Sequence, residues 1–160
     1  VTEIERKFRL RFMPEEISGH SSIIEQGYLF SDGVEFRLRK EDESGCSTYS
    51  QTVKGEGDIE RDEWGNEIPE WVFDLLWSKV QYSLRKIRVR VPYGKYLLDV
   101  DTYLDALDGL LTFECEFSTM EEADAFQAPP WAAGSMEVTY DPRYKNKNLS
   151  QLRDLSELDQ

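Results

Sequence analysis

Residues 1–10 read VTEIERKFRL. Glu3, Glu5, Lys7 and Arg9 fall on every second position, and Ile4, Phe8 and Leu10 occupy most of the others. Side chains two apart in a strand project from the same face, roughly 6.6 Å from each other. One face of this segment is therefore all charge, two acids followed by two bases. That face either looks at water or lines something.

The same alternation recurs along the chain. It predicts strands over Thr2–Phe12, Ile23–Phe30, Val34–Lys40, Ser47–Lys54, Ile59–Gly65, Leu84–Val91, Tyr96–Tyr103 and Leu111–Ser118, with a ninth over Ser135–Tyr140. Turn residues separate them, and Asp32-Gly33 and Pro92–Lys95 read as hairpins. Helices are fewer: Pro69–Val80, with apolar residues at helical spacing behind a proline, a segment capped at Ser118-Thr119-Met120-Glu121 and running to about Gln127, and a last one over Asn148–Leu155. At 160 residues the chain reads as one domain over 1–160, α+β and mainly antiparallel β, with a few peripheral helices.

Bulk composition excludes several classes. No run of eighteen apolar residues exists, so no helical membrane span is expected, and no signal-peptide pattern is visible. Cys46 and Cys115 are too few and too far apart for a disulfide framework, which favours the cytoplasm. A net charge of −13 argues against duplex nucleic acid or an anionic membrane as partner. It does not exclude an anionic small molecule, because the bases are unevenly placed. A monomer and a homodimer both fit the sequence.

Charge alternates with apolar residues in most of the strands. Two geometries explain this. An open antiparallel sheet could carry cross-strand ion pairs on a wet face. A closed barrel could instead turn its apolar faces outward under helices and its charges into a lumen, where they need partners. Arginine at this density suits bidentate contact with phosphate or carboxylate. In the barrel reading Lys7, Arg37, Arg39, Lys54, Arg61, Lys86 and Arg88 are balanced by Glu3, Glu5, Glu63, Asp99, Asp101, Glu114 and Glu116. A polyphosphate would then need divalent cations to enter with it. The pairs Glu3/Glu5 and Glu114/Glu116 offer all-oxygen ligation, which selects Mg²⁺ or Mn²⁺ over zinc. His20 reads as a solvated loop residue.

Glu3-Ile4-Glu5-Arg6-Lys7 resembles the E-x-E-x-K signature of the CYTH superfamily, the triphosphate tunnel metalloenzymes. Similar matches follow in order: VEFRLRK at 34–40, Thr52-Val53-Lys54-Gly55, Arg61-Asp62-Glu63, Lys86-Ile87-Arg88, Asp99-Val100-Asp101-Thr102-Tyr103, Glu114-Cys115-Glu116-Phe117 and Asp141-Pro142-Arg143-Tyr144-Lys145-Asn146. The resemblance implies an eight-stranded closed tunnel with a charged lumen. Carried over by position, it implies metal ligands at Glu3, Glu5, Asp101, Glu114 and Glu116. Phosphate binders would be Lys7, Arg37, Arg39, Lys54, Arg61, Lys86 and Arg88, with Lys145 and Tyr28 beside them. Glu5, Lys7, Lys86 and Glu116 would serve the reaction itself. The R-x-E element lacks a further acid at Gly65, and Pro142 stands where a lysine is common, which shifts a cation to Lys145 or Lys147.

The implied reaction is two-metal hydrolysis of a phosphoanhydride. The short chain and its E-I-E-R-K opening are most similar to bacterial inorganic tripolyphosphatases, which split triphosphate into pyrophosphate and phosphate. Thiamine triphosphatase, RNA triphosphatase and class IV adenylyl cyclase are the alternatives within the superfamily. Tyr28, Trp64 and Tyr103 could flank an organic group. A non-catalytic polyphosphate- or nucleotide-binding module would use the same lumen without turnover.

Overall fold

Nine strands carry the chain: β1 (Thr2–Leu10), β2 (Ser21–Ser31), β3 (Glu35–Glu43), β4 (Cys46–Lys54), β5 (Glu60–Glu67), β6 (Tyr82–Tyr93), β7 (Tyr96–Tyr103), β8 (Leu111–Phe117) and the two-residue β9 (Met136–Glu137). The computed structural model describes residues 1–159. Hydrogen bonding runs β5-β4-β3-β2-β6-β7-β8-β1, and β1 returns to β5. The eight long strands therefore close into an antiparallel barrel, with β9 added to the lower edge of β1.

Closure assigns the two faces of every strand. Ile4, Phe8 and Leu10 of β1 point outward and pack with Leu98, Val100, Phe113, Cys115 and Phe117 under Ala123, Phe126 and Ala132. Phe8 and Phe113 stack with ring centroids 4.7 Å apart. Arg6 breaks the apolar alternation without breaking the packing. Its guanidinium lies over the rings of Phe8 and Phe126 and ends on Glu137 at 2.7 Å. The hydrophobic core on this side thus lies outside the barrel wall, and the charged faces line the inside.

Three α-helices cover the wall: α1 (Glu70–Trp77), α2 (Met120–Ala125) and α3 (Asn146–Leu149). Phe73 of α1 is buried between Tyr49 and Trp77. Residues from the C-terminal segment (Val138, Tyr144, Leu149 and Leu158) join Leu84, Tyr103, Leu107 and Leu110 in a second cluster. Leu84 and Tyr103 share the inward faces of Lys86 and Asp101, so this cluster fills one end of the barrel and makes it blind.

Several bounds differ from the sequence reading. Pro69 is the N-cap of α1, with φ −63° and ψ 151°, because an extended proline can precede a helix without supplying an N–H. The cap of α2 is Thr119, one residue later than expected. Its hydroxyl accepts from the Glu122 amide, while the Glu122 carboxylate reaches back to the Ser118 amide. The final helix is earlier and shorter than Asn148–Leu155, and a 3₁₀ turn at Leu155–Asp159 follows. At the β6–β7 hairpin Tyr93 pairs with Tyr96, leaving Gly94 and Lys95 as the turn, with Gly94 at φ 59°. His20 is exposed. Among the described residues no helix is long and apolar enough to cross a membrane.

Candidate active site

Strand register builds the acidic corner. Glu5 of β1 lies opposite Glu116 of β8, and Lys7 lies opposite Glu114. Parity puts Glu3, Glu5, Glu114 and Glu116 on the lumen face. Carboxylate oxygens of Glu3, Glu5 and Glu116 lie within 4.8 Å of one another. Three acids this close repel unless a proton or a cation intervenes. Burial, then the charges of Glu114 and Glu3, raise Glu5 well above the ordinary carboxyl range. Glu116, nearer the rim, is raised by its partial burial and by Glu3 and Glu63. Burial would also raise Glu3, but hydrogen bonds with Glu63 and Lys54 hold it at about 2. The cluster offers hard oxygen donors with uncompensated charge, which fits Mg²⁺ or Mn²⁺.

Opposite the acids stand the bases. A cavity of ≈ 120 Å³ has Arg37, Arg39, Lys54, Arg61 and Arg88 in its wall, facing Glu3, Glu5 and Glu116. Lys54 Nζ donates to Glu3 at 2.8 Å and lies 3.1 Å from Glu63. Arg37 donates from Nη2 to Thr52 Oγ1 at 3.1 Å, while its buried Nε has no hydrogen-bond partner among the described residues. A guanidinium N–H left without a partner in the wall of a polar cavity suits an anion. Arg39 donates twice to Gln26 Oε1, whose amide donates to the Tyr28 hydroxyl, so Tyr28 is buried in the same wall. Burial, reinforced by Arg37 and Arg88, pulls Arg39 below its usual range.

Lys7, Lys86 and Asp101 lie deeper, in the floor. Lys86 and Asp101 are fully buried and joined at 2.8 Å. Arg88 donates to both Asp101 oxygens, at 2.7 and 2.8 Å. Asp101 is thus saturated by two cations. β7 places it at the height of Arg88 and beside Lys86, so its oxygens meet these two bases of the floor, while Glu3, Glu5 and Glu116 form the close acidic cluster. Glu114 is also engaged, 3.3 Å from Lys7 and 3.9 Å from Arg88. Burial works against its charge, yet Lys7, Lys86 and Arg88 hold it well below the usual range. Burial dominates at Lys86, and with Arg88 and Arg39 nearby it falls to about 7 despite Asp101.

Lys145 does not reach the main cavity. Its Nζ donates to Gly57 O at 2.7 Å and pairs with Asp58 at 3.1 Å. Four further residues line the main cavity that had been assigned neither to metal, to phosphate nor to the reaction: Glu35, Glu63, Asp99 and Asn146. Asp99 pairs with Arg88 at 2.9 Å and is raised by burial and by Glu114. The strand alternation places Glu35 and Asp99 on the lumen face, but nothing local gives them a task.

No protein-family model matches the sequence. Two curated relatives do. The inorganic triphosphatase of Nitrosomonas europaea is 36% identical over 156 residues, covering 94% of this chain and 97% of the relative. That of Acetivibrio thermocellus is 31% identical over 152 residues, covering 92% of each. A crystal structure of an inorganic triphosphatase superposes with a TM-score of 0.66 at 34% identity, covering 96% of this chain and 97% of the other. With this identity over nearly the whole of each chain and the barrel fold shared with the solved structure, the chain belongs to the triphosphate tunnel family that includes these bacterial inorganic triphosphatases.

Proposed function

We propose that this protein hydrolyses inorganic triphosphate to pyrophosphate and phosphate with Mg²⁺ or Mn²⁺. One observation carries the reading: three mutually close carboxylates face a row of five bases across one blind lumen. Whole-length similarity to proteins named inorganic triphosphatase supports the choice of substrate.

Glu3, Glu5 and Glu116 would hold the cations, with Glu114 and Asp99 behind them. Bound divalent ions, two in the reading favoured here, supply charge neutralisation and Lewis acidity at the phosphate oxygens. Arg37, Arg39, Lys54, Arg61 and Arg88 grip the triphosphate and spread its charge. Water adds to a terminal phosphorus, the bridging P–O bond breaks, and the leaving oxygen keeps the electron pair. Lys7 and Lys86 in the floor stabilise the charge that develops there. Asp101 orients Lys86 and Arg88 instead of meeting a metal. Tyr28 stiffens Arg39 through Gln26.

The tunnel is complete within one chain, so turnover requires no second subunit. Cys46, exposed, and Cys115, buried, are both free thiols, which suits a reducing cytoplasm. The test is turnover on tripolyphosphate, ATP and thiamine triphosphate, each with Mg²⁺ and with Mn²⁺. Tripolyphosphate should be the fastest substrate. Faster cyclisation of ATP, or binding without turnover on all three, rejects the proposal.

A further inference from the structure

β1 meets β5 over only Thr2–Ile4, extended by the Glu5 amide donating to Ile59 O at 2.9 Å. Lower down, the same edge of β1 belongs to another partner. Phe8 and Arg9 pair with β9, the Val138 amide donates to Lys7 O, and the Lys7 amide donates to Thr139 Oγ1. The barrel wall therefore has a seam between the loop before β5 and the segment after β9. A cavity of ≈ 40 Å³ occupies it, lined in part by Lys7, Asp58 and Lys145. Glu5, Arg61, Glu114 and Asn146 line both this cavity and the main one, so the seam adjoins the lumen.

Three consecutive residues, Tyr144, Lys145 and Asn146, tie the segment after β9 to the barrel. Lys7 Nζ donates to Tyr144 O at 2.7 Å, and the Tyr103 hydroxyl donates to Asn146 Oδ1 at 2.6 Å. Both ties end on the floor. Lys145 alone of the three reaches the loop before β5, through Gly57 O and Asp58. The side chains of this pair are 22% and 46% exposed, and ion pairs that wet contribute only about 0–1 kcal/mol. Such a contact can open thermally.

We propose that the seam is a side exit for inorganic phosphate, and that Lys145 latches it by holding Gly57 and Asp58. This rests on triphosphate hydrolysis as proposed above. In a lumen blocked at its floor by Leu84, Tyr103, Leu110 and Tyr144, the inner product could leave through the mouth only after the outer one. An opening beside Lys7 and Arg61 removes that order. Lys145 is then a positioning residue acting on the loop, and not a phosphate ligand.

The experiment compares wild type with Asp58→Asn and Lys145→Met under single-turnover conditions with Mg²⁺ and tripolyphosphate. Rapid quench follows cleavage, and a fluorescent phosphate-binding reporter follows release. Both variants should shorten the interval between cleavage and phosphate release several-fold, Lys145→Met the more, with the KM for tripolyphosphate within about twofold. Hydrogen exchange at residues 55–59 and 138–146 should rise in both variants, a readout independent of activity. A raised KM in Lys145→Met with no effect of Asp58→Asn makes Lys145 a phosphate ligand and overturns the proposal. Unchanged release intervals or unchanged exchange at 55–59 overturn it as well. Failure of wild type to cleave tripolyphosphate rejects the hydrolase reading itself, while the exchange result still reports on the latch.

Discussion

Lys54 Nζ donates a 2.8 Å hydrogen bond to Glu3 Oε2, joining one of the proposed phosphate binders to one of the proposed metal ligands. Each group neutralises the other while the lumen holds only its own charges. A divalent cation taking the same oxygen of Glu3 would displace the ammonium toward the anion, and metal and triphosphate binding would then be coupled through one lysine.

Removing that lysine should separate the two events. In Lys54→Met, Mg²⁺ alone should bind roughly tenfold tighter, since a hydrogen bond to a charged group contributes about 1.5 kcal/mol or more. Tripolyphosphate should bind more weakly, and the synergy between the two should disappear. Calorimetric titration of Mg²⁺ with and without tripolyphosphate measures both. Equal synergy in wild type and variant counts against the coupling.

Glu5 is costly to the metal-free fold, being buried beside Glu3 and Glu114. Glu5→Gln mimics the protonated acid and should raise the Tm of the metal-free protein, by about 2–4 °C for each kcal/mol relieved. Turnover should fall by more than the roughly 10–100-fold typical of residues that only support a metal ligand. The pH dependence has a definite sign. Because the folded state binds this proton more tightly than the unfolded chain, the advantage is fully present below the ordinary carboxyl value and is lost as pH rises through the raised one. The Tm gap between Glu5→Gln and wild type should therefore widen from pH 5 to pH 8. Thermal melts across that range decide it, and a constant gap means Glu5 titrates normally.

How far the sequence carries the site depends on the kind of information each position holds. Alternation gives parity, and parity put Glu3, Glu5, Arg37, Arg39, Lys86 and Glu116 on the charged faces of their strands, while the resemblance implied that those faces line a lumen. Parity says nothing of height along the barrel axis. Asp101 shares the parity of a metal ligand, yet register sets it against Arg88, with Lys86 one step below. That depth follows from how many residues each strand slides past its neighbour, a property of closure and not of any local segment. Lys145 is similar: its charge is legible, but the seam it bridges exists only because β1 changes partners between Ile4 and Phe8. The outer helices were visible as patterns, but their ends moved: α2 is capped one residue later, at Thr119, α1 ends three residues before Val80, and α3 ends six residues before Leu155.

Lys86 carries a second pH signature. Its ammonium falls to about 7 through burial and through Arg88 and Arg39. The folded state thus binds this proton less tightly than the unfolded chain, and its cost to stability is present below pH 7 and relieved between there and the ordinary lysine value. A bound polyanion reverses the balance. Tripolyphosphate binding at pH 8 should therefore take up more protons in wild type than in Lys86→Arg, whose guanidinium stays charged. Calorimetry in two buffers of different ionisation enthalpy gives the proton count for each, and equal counts would remove Lys86 from the phosphate floor.

The last prediction concerns the wall opposite the acids. Four strand-to-strand steps separate β2 from β1 in either direction around the barrel, so Gly27 of β2 lies across the lumen from Glu3 and Glu5. It is buried with its outward side against the end of α1. A Cβ there would come within 2.5 Å of Val80 Cγ1 and 2.9 Å of the Trp77 ring. Gly27→Ala must push these residues outward, and overpacking of this kind costs about 1–3 kcal/mol. The Tm should drop, while Mg²⁺ affinity stays as in wild type because the metal corner belongs to β1 and β8. An unchanged Tm would show that α1 yields freely, and a change in Mg²⁺ affinity would show that strain on this wall reaches the far side of the barrel.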